Sequence, residues 1–190
     1  MTKPPMLTAQ QALDHLLSHA KPIHENENIS VQAALGRVLA ENVQSRVDVP
    51  PLDNTSMDGY AVRTADTASS GQILRVAQRI PAGSVGTQLE PGTAARIFTG
   101  APIPPGADAV VMQEDCFIPE GSVDQVRVNT VPTVGQWIRR RGEDLSAGKT
   151  ALDAGIFLRP QELGVAASAG LTHLNVKRRV RVAAFFTGDE

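Results

Sequence analysis

The sequence predicts a mainly β protein with a few helices (α+β). Between residues 50 and 158, short alternating runs are separated by Gly and Pro, which is typical of a β-meander or barrel. Helical periodicity is confined to the two ends of the chain. A length of 190 residues suffices for one large domain or two small ones, and the change in pattern favours two.

Three helices are predicted outside this middle region. In the first, Thr8 and Gln11 form a capping box, and apolar residues then recur at helical spacing until Pro22 ends the pattern. The second covers residues 31–39 and contains a glycine, which lowers its helical propensity. The third covers residues 159–169, opens with a proline and is followed by a glycine.

Strands are predicted in the middle of the chain, where apolar and polar residues alternate between turn-forming residues. The turns are too frequent for helices and too regularly spaced for disorder, so a β-rich domain is expected. The predicted strands are 72–80, 95–98, 108–112 and 125–131.

A last strand is predicted at residues 180–186, because a continuous apolar run is typical of a parallel strand buried on both faces. A parallel strand reaches its neighbour through a crossover of about a dozen residues, and only Thr187–Glu190 follows. We therefore expect this chain to be the N-terminal part of a longer protein. The alternative is an edge strand that completes the β domain. Thr187–Glu190 is expected to form a loop at the carboxyl end of a strand, where α/β folds place ligands.

The composition argues against several classes of protein. Lys and Arg number 18 against 20 Asp and Glu, so the basic excess of a dedicated nucleic-acid binder is missing. No apolar run is long enough to cross a membrane, and the first residues do not resemble a secretory signal. Cys116 is the single cysteine, which predicts a reducing, cytoplasmic location and is best interpreted as a small buried residue.

Asp53–Arg63 is the strongest candidate site, because hydrogen-bonding side chains and two acids precede a glycine. Asn, Asp, Ser and Thr bond nearby backbone groups, and Gly59 can adopt a backbone conformation closed to other residues. The loop can therefore hold Asp58 in one direction. The alternative is an Asx-turn in which Asp58 caps the backbone ahead of Tyr60.

Three other segments carry candidate ligands. Thr99 precedes a glycine and can approach an anion closely, although a threonine in a tight turn is the alternative. Arg139–Arg141 can clamp phosphate, with Arg140 directed away from its neighbours if the segment is a strand; a solvated charged face is the alternative. Asp189 and Glu190 are weak candidates for binding Mg²⁺. Without an evident nucleophilic triad, P-loop or dinucleotide fingerprint, these residues favour a phosphorylated or oxyanionic substrate.

Five motifs carry a resemblance to a known family. They are Pro51–Arg63, Arg96–Pro102, Ala109–Glu114, Arg139–Asp144 and Thr187–Glu190. In this order they resemble the molybdopterin molybdenumtransferases, the MoeA family, which includes the E domain of gephyrin. The resemblance covers almost the whole chain.

The resemblance implies an enzyme of molybdenum cofactor biosynthesis. Such an enzyme takes adenylylated molybdopterin and molybdate, inserts the metal into the dithiolene and releases AMP with the help of Mg²⁺. Family members are elongated homodimers, so the implied partners are a second copy, the pterin substrate and other proteins of cofactor biosynthesis. Because the pterin-binding part of the family is missing from this sequence, we expect the chain alone to lack turnover.

The resemblance also divides the chain into domains. Residues 26–44 and 144–175 resemble a linking domain with bifurcated sheets, and residues 45–143 resemble a mobile, barrel-like β domain. Residues 1–25 and 176–190 resemble the first helix and the first strand of an incomplete α/β domain that holds the pterin.

The motif match also implies roles for individual residues. Two aspartates position Mg²⁺ or activate water, a threonine donates a hydrogen bond to the substrate, and an arginine screens phosphate or molybdate charge. A noncatalytic dimerisation or scaffold module of the gephyrin type is the alternative function, and a carbohydrate- or anion-binding β domain ranks last. The implied catalytic residues are Asp58, Thr99, Asp144 and Glu190, and the implied substrate-binding residues are Arg139 and Ser56.

Overall fold

The computed structural model describes residues 6–186, and this part of the chain is mainly β with two helices, which confirms the predicted fold class. The helices are α1 (Ala9–His19) and α2 (Pro160–Ser168). The strands are β1 (Asn26–Ser30), β2 (Val43–Gln44), β3 (Asn54–Thr55), β4 (Gly59–Val62), β5 (Gln72–Ile80), β6 (Thr93–Ile97), β7 (Ala109–Met112), β8 (Cys116–Phe117), β9 (Gln125–Val128), β10 (Ile138–Arg139), β11 (Thr150–Leu152) and β12 (His173–Lys177).

The largest sheet curls into a nearly closed, barrel-like form with the strand order β7-β4-β6-β5-β9-β8. Neighbouring strands are antiparallel except β5 and β6, which run parallel. Because successive residues of a strand point to opposite faces, each face of the sheet carries its own apolar core. One core includes Tyr60, Val62, Val111, Val126 and Val128, and the other includes Ala61, Ile80, Ile97 and Val110.

A smaller core joins the segments that precede and follow the barrel-like sheet in the chain. β1 pairs with β12 and β2 pairs with β11, both antiparallel, and α2 packs against the same region. The barrel-like sheet is therefore formed by the segment that lies between these pairings. The domain boundaries given above remain predictions. The buried side chains of the smaller core include Val31, Leu39, Val43, Leu158, Leu174 and Val176.

The first and third predicted helices are confirmed, with their caps. The Thr8 hydroxyl accepts a hydrogen bond from the Gln11 N–H (3.2 Å), and the Gln11 side chain accepts one from the Thr8 N–H (2.9 Å). Pro160 occupies the first turn of α2, and Gly170 follows its end with φ +82°. α1 buries none of its residues, and Leu16 is 69% exposed. In the described part of the chain, no helix is long and apolar enough to cross a membrane.

The helix predicted over residues 31–39 is wrong. Val31–Ala34 forms a single 3-10 turn, and Gly36 then takes φ +72°, which a right-handed helix does not allow. Val38 and Leu39 continue as isolated β-bridges to distant parts of the chain. Apolar residues at helical spacing arise here because a short turn and an extended segment follow one another along the smaller core.

The strand predicted at residues 180–186 is also not formed. β12 ends at Lys177, and Phe185 and Phe186 are 84% and 97% exposed. A strand needs a neighbour for its backbone hydrogen bonds, and no segment of residues 6–186 pairs with this one. The expected loop at Thr187–Glu190 lies outside the described residues.

Candidate functional site

The loop before β4 brings Asp58 into contact with Thr99, which is distant in the sequence. Oδ1 of Asp58 accepts hydrogen bonds from the backbone N–H and from the hydroxyl of Thr99, each at 2.8 Å. These bonds, with a smaller effect of the charge on Arg96, hold the pKa of Asp58 below its usual value because they stabilise the ionised carboxylate. Oδ2 accepts no hydrogen bond from any described residue. Asp58 is thus an oriented carboxylate with one oxygen available.

The structure distinguishes between the alternatives for this loop. The Asx-turn is not formed, because the Asp58 carboxylate bonds to Thr99 instead of to its own neighbours. Thr55 makes the local turn: its hydroxyl donates to the Met57 carbonyl (2.7 Å) and accepts from the Met57 N–H (3.1 Å). Thr99 lies in a tight turn before Gly100, as the structural alternative has it, and donates its hydroxyl to Asp58. Its approach to an anion stays a prediction.

The structure requires a glycine at position 59 for a different reason from the predicted backbone freedom. Its φ is not among the positive values found for other glycines of the described chain. Instead, β4 and β7 approach so closely that a Cβ atom at Gly59 would lie 1.9 Å from the carbonyl oxygen of Val111. Only a residue without a side chain fits this position. The close approach sets where β4 begins and therefore where Asp58 lies.

Arg96, to which the motifs assign no role, is part of the same site. Its Nη1 donates to the Gly59 carbonyl (2.9 Å), and its Nη2 donates to Oε1 of Gln113 (2.6 Å). The Gln113 N–H in turn donates to the carbonyl of Asp58 (3.1 Å). Arg96 therefore connects the two strands that flank the carboxylate. The available signal in the sequence is an arginine inside the otherwise small and apolar strand β6.

Arg139 and Asp144 form an ion pair with an Nη2–Oδ1 distance of 2.5 Å, and Glu143 adds a second contact at 3.3 Å. The hydrogen bonds that Arg139 donates to Asp144 and then to Glu143 raise the pKa of Arg139 above its usual value, because they stabilise the charged guanidinium. The side chains of Arg139 and Asp144 are 37% and 51% exposed, so water reaches the pair. Oδ2 of Asp144 accepts no hydrogen bond from residues 6–186.

Arg140 and Arg141 are bound to two other acids. Nη1 of Arg140 lies 2.6 Å from Asp53, which also accepts the N–H of Arg141 at 2.8 Å. The Arg141 side chain lies 2.6 Å from Asp48. The predicted alternation along a strand does not extend to these two residues, because β10 ends at Arg139. Their charges are neutralised locally and their side chains are 58% and 65% exposed, which supports the alternative of a solvated charged face.

β3 lies between the two clusters. On one side, the Thr55 carbonyl accepts the N–H of Gly100 (2.9 Å) and so holds the turn that carries the hydroxyl partner of Asp58. On the other side, Asn54 pairs with Arg139 of β10. Both clusters are therefore built on the same short strand. Within residues 6–186, no hydrogen bond or ion pair joins one cluster directly to the other.

The remaining predicted site residues are placed less favourably. The Ser56 hydroxyl, predicted to bind substrate, donates to the Trp137 carbonyl (3.2 Å). Asp189 and Glu190 lie outside the described residues. Within residues 6–186, no group of three His, Cys, Asp or Glu side chains could hold a metal ion. A magnesium ion at this site would therefore need ligands besides a cluster of acidic side chains in residues 6–186.

Cys116 behaves as a structural residue. Burial, followed by the negative charge of Asp115, raises the pKa of its thiol to about 12. The thiol is therefore protonated at neutral pH and is a poor nucleophile.

The fold and the site define a β-rich module that presents an oriented acid and a hydroxyl on loops of a barrel-like sheet. Residues 7–170 match the family model described as the MoeA N-terminal region, domain I and II, and the chain belongs to this family.

Relatives and a solved structure agree with this assignment. The chain is 40% identical over 186 residues to molybdopterin molybdenumtransferase 2 of Mycobacterium tuberculosis (95% of this chain, 44% of the relative). It is 38% identical over 186 residues to the molybdopterin molybdenumtransferase of Haemophilus influenzae (97% and 45%). The crystal structure of the molybdopterin biosynthesis MoeA protein from Pyrococcus horikoshii superposes with a TM-score of 0.81 at 35% identity (88% and 45%). The chain thus spans less than half the length of these proteins.

Proposed function

We propose that this chain forms the N-terminal part of a molybdopterin molybdenumtransferase, which inserts molybdate into adenylylated molybdopterin and releases AMP. Membership of the MoeA N-terminal family and the names of the relatives support this proposal. The observation that carries it is the contact between Asp58 and Thr99. A carboxylate held by a turn residue that is distant in the sequence, with one oxygen left available, is oriented before any substrate arrives.

The geometry favours a particular role for Asp58. A lowered pKa makes a carboxylate a weaker base, so Asp58 suits the binding of a cation or the orientation of water better than the removal of a proton. Thr99 keeps its side chain at the site and can exchange its bond to Asp58 for one to the substrate. Bound Mg²⁺ would neutralise charge on the phosphoanhydride. Asp58 and Asp144 each have one carboxylate oxygen that would serve as a ligand.

The proposed site is incomplete within this chain. We propose that a second copy in a homodimer and polypeptide outside residues 1–190 complete it, in the cytoplasm, and that the chain alone lacks turnover. Asp189 and Glu190 remain proposed contributors, and Arg139 is proposed to screen substrate charge from within its ion pair with Asp144.

The decisive experiment measures AMP release and molybdenum incorporation with adenylylated molybdopterin, in a protein extended to the length of the relatives. Asp58→Ala should lower the rate at least about a hundredfold while the protein stays folded at the assay temperature. Asp124→Ala removes an exposed acid that makes no side-chain hydrogen bond with the described residues, and should have no effect. Wild-type turnover in the Asp58 variant would refute the proposal.

A noncatalytic assembly module is the second candidate, and the exposed apolar side of α1 favours it. Leu13, Leu16 and Leu17 are 48%, 69% and 61% exposed, which leaves an apolar helix face open to a partner. Such a module would assemble normally but release no AMP even when extended. Measuring mass in solution and AMP release on the same protein separates the two candidates.

A further inference from the structure

One face of the barrel-like sheet carries two arginines side by side. Arg96 of β6 is the register partner of Tyr60 on β4 and of Arg79 on β5. Register partners point to the same face of a sheet, so these three side chains form a row across three adjacent strands. Arg79 is exposed, Arg96 is half-buried, and Tyr60 is buried beneath them at 7% exposure.

A bulge in β5 places Arg79 in this row. The pairing of β5 with β6 shifts by one residue between Val76 and Gln78. Without that shift, strict alternation would direct Arg79 to the face opposite Val76. The bulge therefore brings a second guanidinium group to the end of the core that contains Tyr60 and Val76.

Neither arginine forms an ion pair with a described residue, although the charge on Arg96 acts on Asp58 from a distance. Like charges that face each other on neighbouring strands repel. Within residues 6–186, neither guanidinium forms an ion pair, and the Arg79 side chain makes no hydrogen bond. Instead both lie over the ring of Phe98, with Cζ 4.5 Å (Arg79) and 4.6 Å (Arg96) from its centroid. Two positive charges are thus held close together, and several of the guanidinium N–H groups make no hydrogen bond.

A groove opens directly over this row. Its volume is about 440 Å³, within the usual range for small-molecule sites. The Tyr60 hydroxyl makes no hydrogen bond with any residue from 6 to 186 and is open to the solvent of the groove, while the residue as a whole is 7% exposed. The exposed side chains of Ile118 and Val123 line the groove and give it an apolar rim.

We propose that this groove binds a phosphate ester, with Arg79 and Arg96 holding the phosphoryl group and the apolar rim contacting the esterified part. Guanidinium groups donate paired hydrogen bonds to phosphate oxygens, and an anion removes the repulsion between the two arginines. The Tyr60 hydroxyl supplies a third donor. Arg96 also bonds to the Gly59 carbonyl beside Asp58, so a phosphate bound here lies next to the proposed catalytic loop. The link to catalysis rests on the proposed function, but the binding site itself does not.

Binding to the 190-residue chain tests the proposal. AMP is titrated by calorimetry and by NMR of the arginine side chains, with inorganic phosphate and adenosine as separate probes. AMP and phosphate should bind and perturb the Arg79 Nε–H signal, AMP more tightly, and adenosine should not bind. Arg79→Gln should weaken AMP binding about tenfold, and Tyr60→Phe by a smaller factor. Added salt should weaken binding further.

Arg75→Gln provides the matched control. Arg75 is another exposed arginine of β5, but it does not line the groove, so its replacement changes the net charge equally and should leave AMP binding unchanged. The proposal fails if wild-type chain binds neither AMP nor phosphate, if adenosine binds as tightly as AMP, or if the Arg75 and Arg79 variants weaken AMP binding equally. Because binding is measured without turnover, each of these results leaves the Asp58 experiment as an independent test of the proposed function.

Discussion

The two arginine groups of this chain differ in how their charges are balanced. Arg139–Arg141 are adjacent in sequence, and each is held by a carboxylate. Arg79 and Arg96 are separated in sequence, meet only across two strands, and form no ion pair with residues 6–186. The conspicuous cluster is therefore neutralised by its own fold, and the inconspicuous pair keeps its charge available.

This difference shows what a run of charges does and does not indicate. The triplet lies beside two turns rich in acids, and Asp53 and Asp48 use their carboxylates to hold backbone N–H groups as well as guanidinium groups. Those contacts fasten the loop after β10 to the segment before β3. Arg79 fastens no loop, and Arg96 bonds only to the Gly59 carbonyl and the neutral Gln113 side chain. The other neighbours of this pair are uncharged aromatic, apolar and glutamine side chains. The first group is suited to structure and the second to an anionic ligand.

The largest expected effect on the comparison comes from displacing β4, the strand that carries Tyr60 of the row formed with Arg96 and Arg79. Gly59→Ala places a Cβ 1.9 Å from the Val111 carbonyl oxygen. A backbone atom cannot relieve this clash by changing rotamer, as a side chain can. We expect a loss of about 3 kcal/mol in the free energy of unfolding, measured by urea denaturation. Gly164→Ala is the control: its Cβ meets no atom within 4 Å, and alanine should stabilise α2 by up to about 1 kcal/mol. Equal stability of the two variants would contradict the close approach of β4 and β7.

A second experiment compares the stabilising effects of the two arginine groups. Asp53→Ala removes the acceptor for Arg140 and for the Arg141 N–H, and should lower the free energy of unfolding by about 1 kcal/mol. Arg79→Gln should change it by less than about 0.5 kcal/mol, because that side chain makes no ion pair or hydrogen bond with the described residues. Asp124→Ala controls for the loss of an exposed acid. If Arg79→Gln lowers the free energy of unfolding more than Asp53→Ala does, the barrel-sheet arginines and not the Arg139–Arg141 group are the structural ones.

The smallest expected effect concerns the ionisation of Asp58. Thr99→Val deletes one of the two hydrogen bonds to Oδ1, so the pKa of Asp58 should rise, while the remaining N–H bond keeps it below its usual value. A lowered pKa means that Asp58 stabilises the fold above the unfolded-state pKa, and that this stabilisation is lost as the pH falls through the folded-state pKa. The variant should therefore lose less stability on acidification than the wild type.

NMR titration of the carboxylate carbons measures this directly. Asp53 is the internal reference, because its lowered pKa depends first on the Arg141 N–H and should not move in the Thr99 variant. An unchanged pKa for Asp58 would show that the Thr99 hydroxyl does not stabilise the carboxylate.

Local patterns predicted much of the secondary structure. The capping box at Thr8, the helix opened by Pro160, and the strand at residues 72–80 depend on neighbours a few positions away, and all three are confirmed. The segments 31–39 and 180–186 were not predictable in the same way. One required knowing that Gly36 turns left-handed, and the other required a neighbouring strand that residues 6–186 do not supply.

The candidate site shows the same division. A hydrogen-bonding loop around Asp58 could be predicted from its residue types, but its partner could not, because Thr99 becomes a neighbour only when β4 and β6 pair. Gly59 was singled out for its backbone freedom, whereas the fold uses its small size. No pattern in the sequence indicated that Arg79 and Arg96 would lie side by side.

The sequence by itself determined the family, the mainly β class, and the loops on which acids, a hydroxyl and arginines are carried, since these depend on motifs and on residues close together in the chain. The tertiary structure alone decided which charges are neutralised and which remain available. The physical reason is strand register: one bulge between Val76 and Gln78 changes the face to which Arg79 points, and residue spacing does not report such a shift.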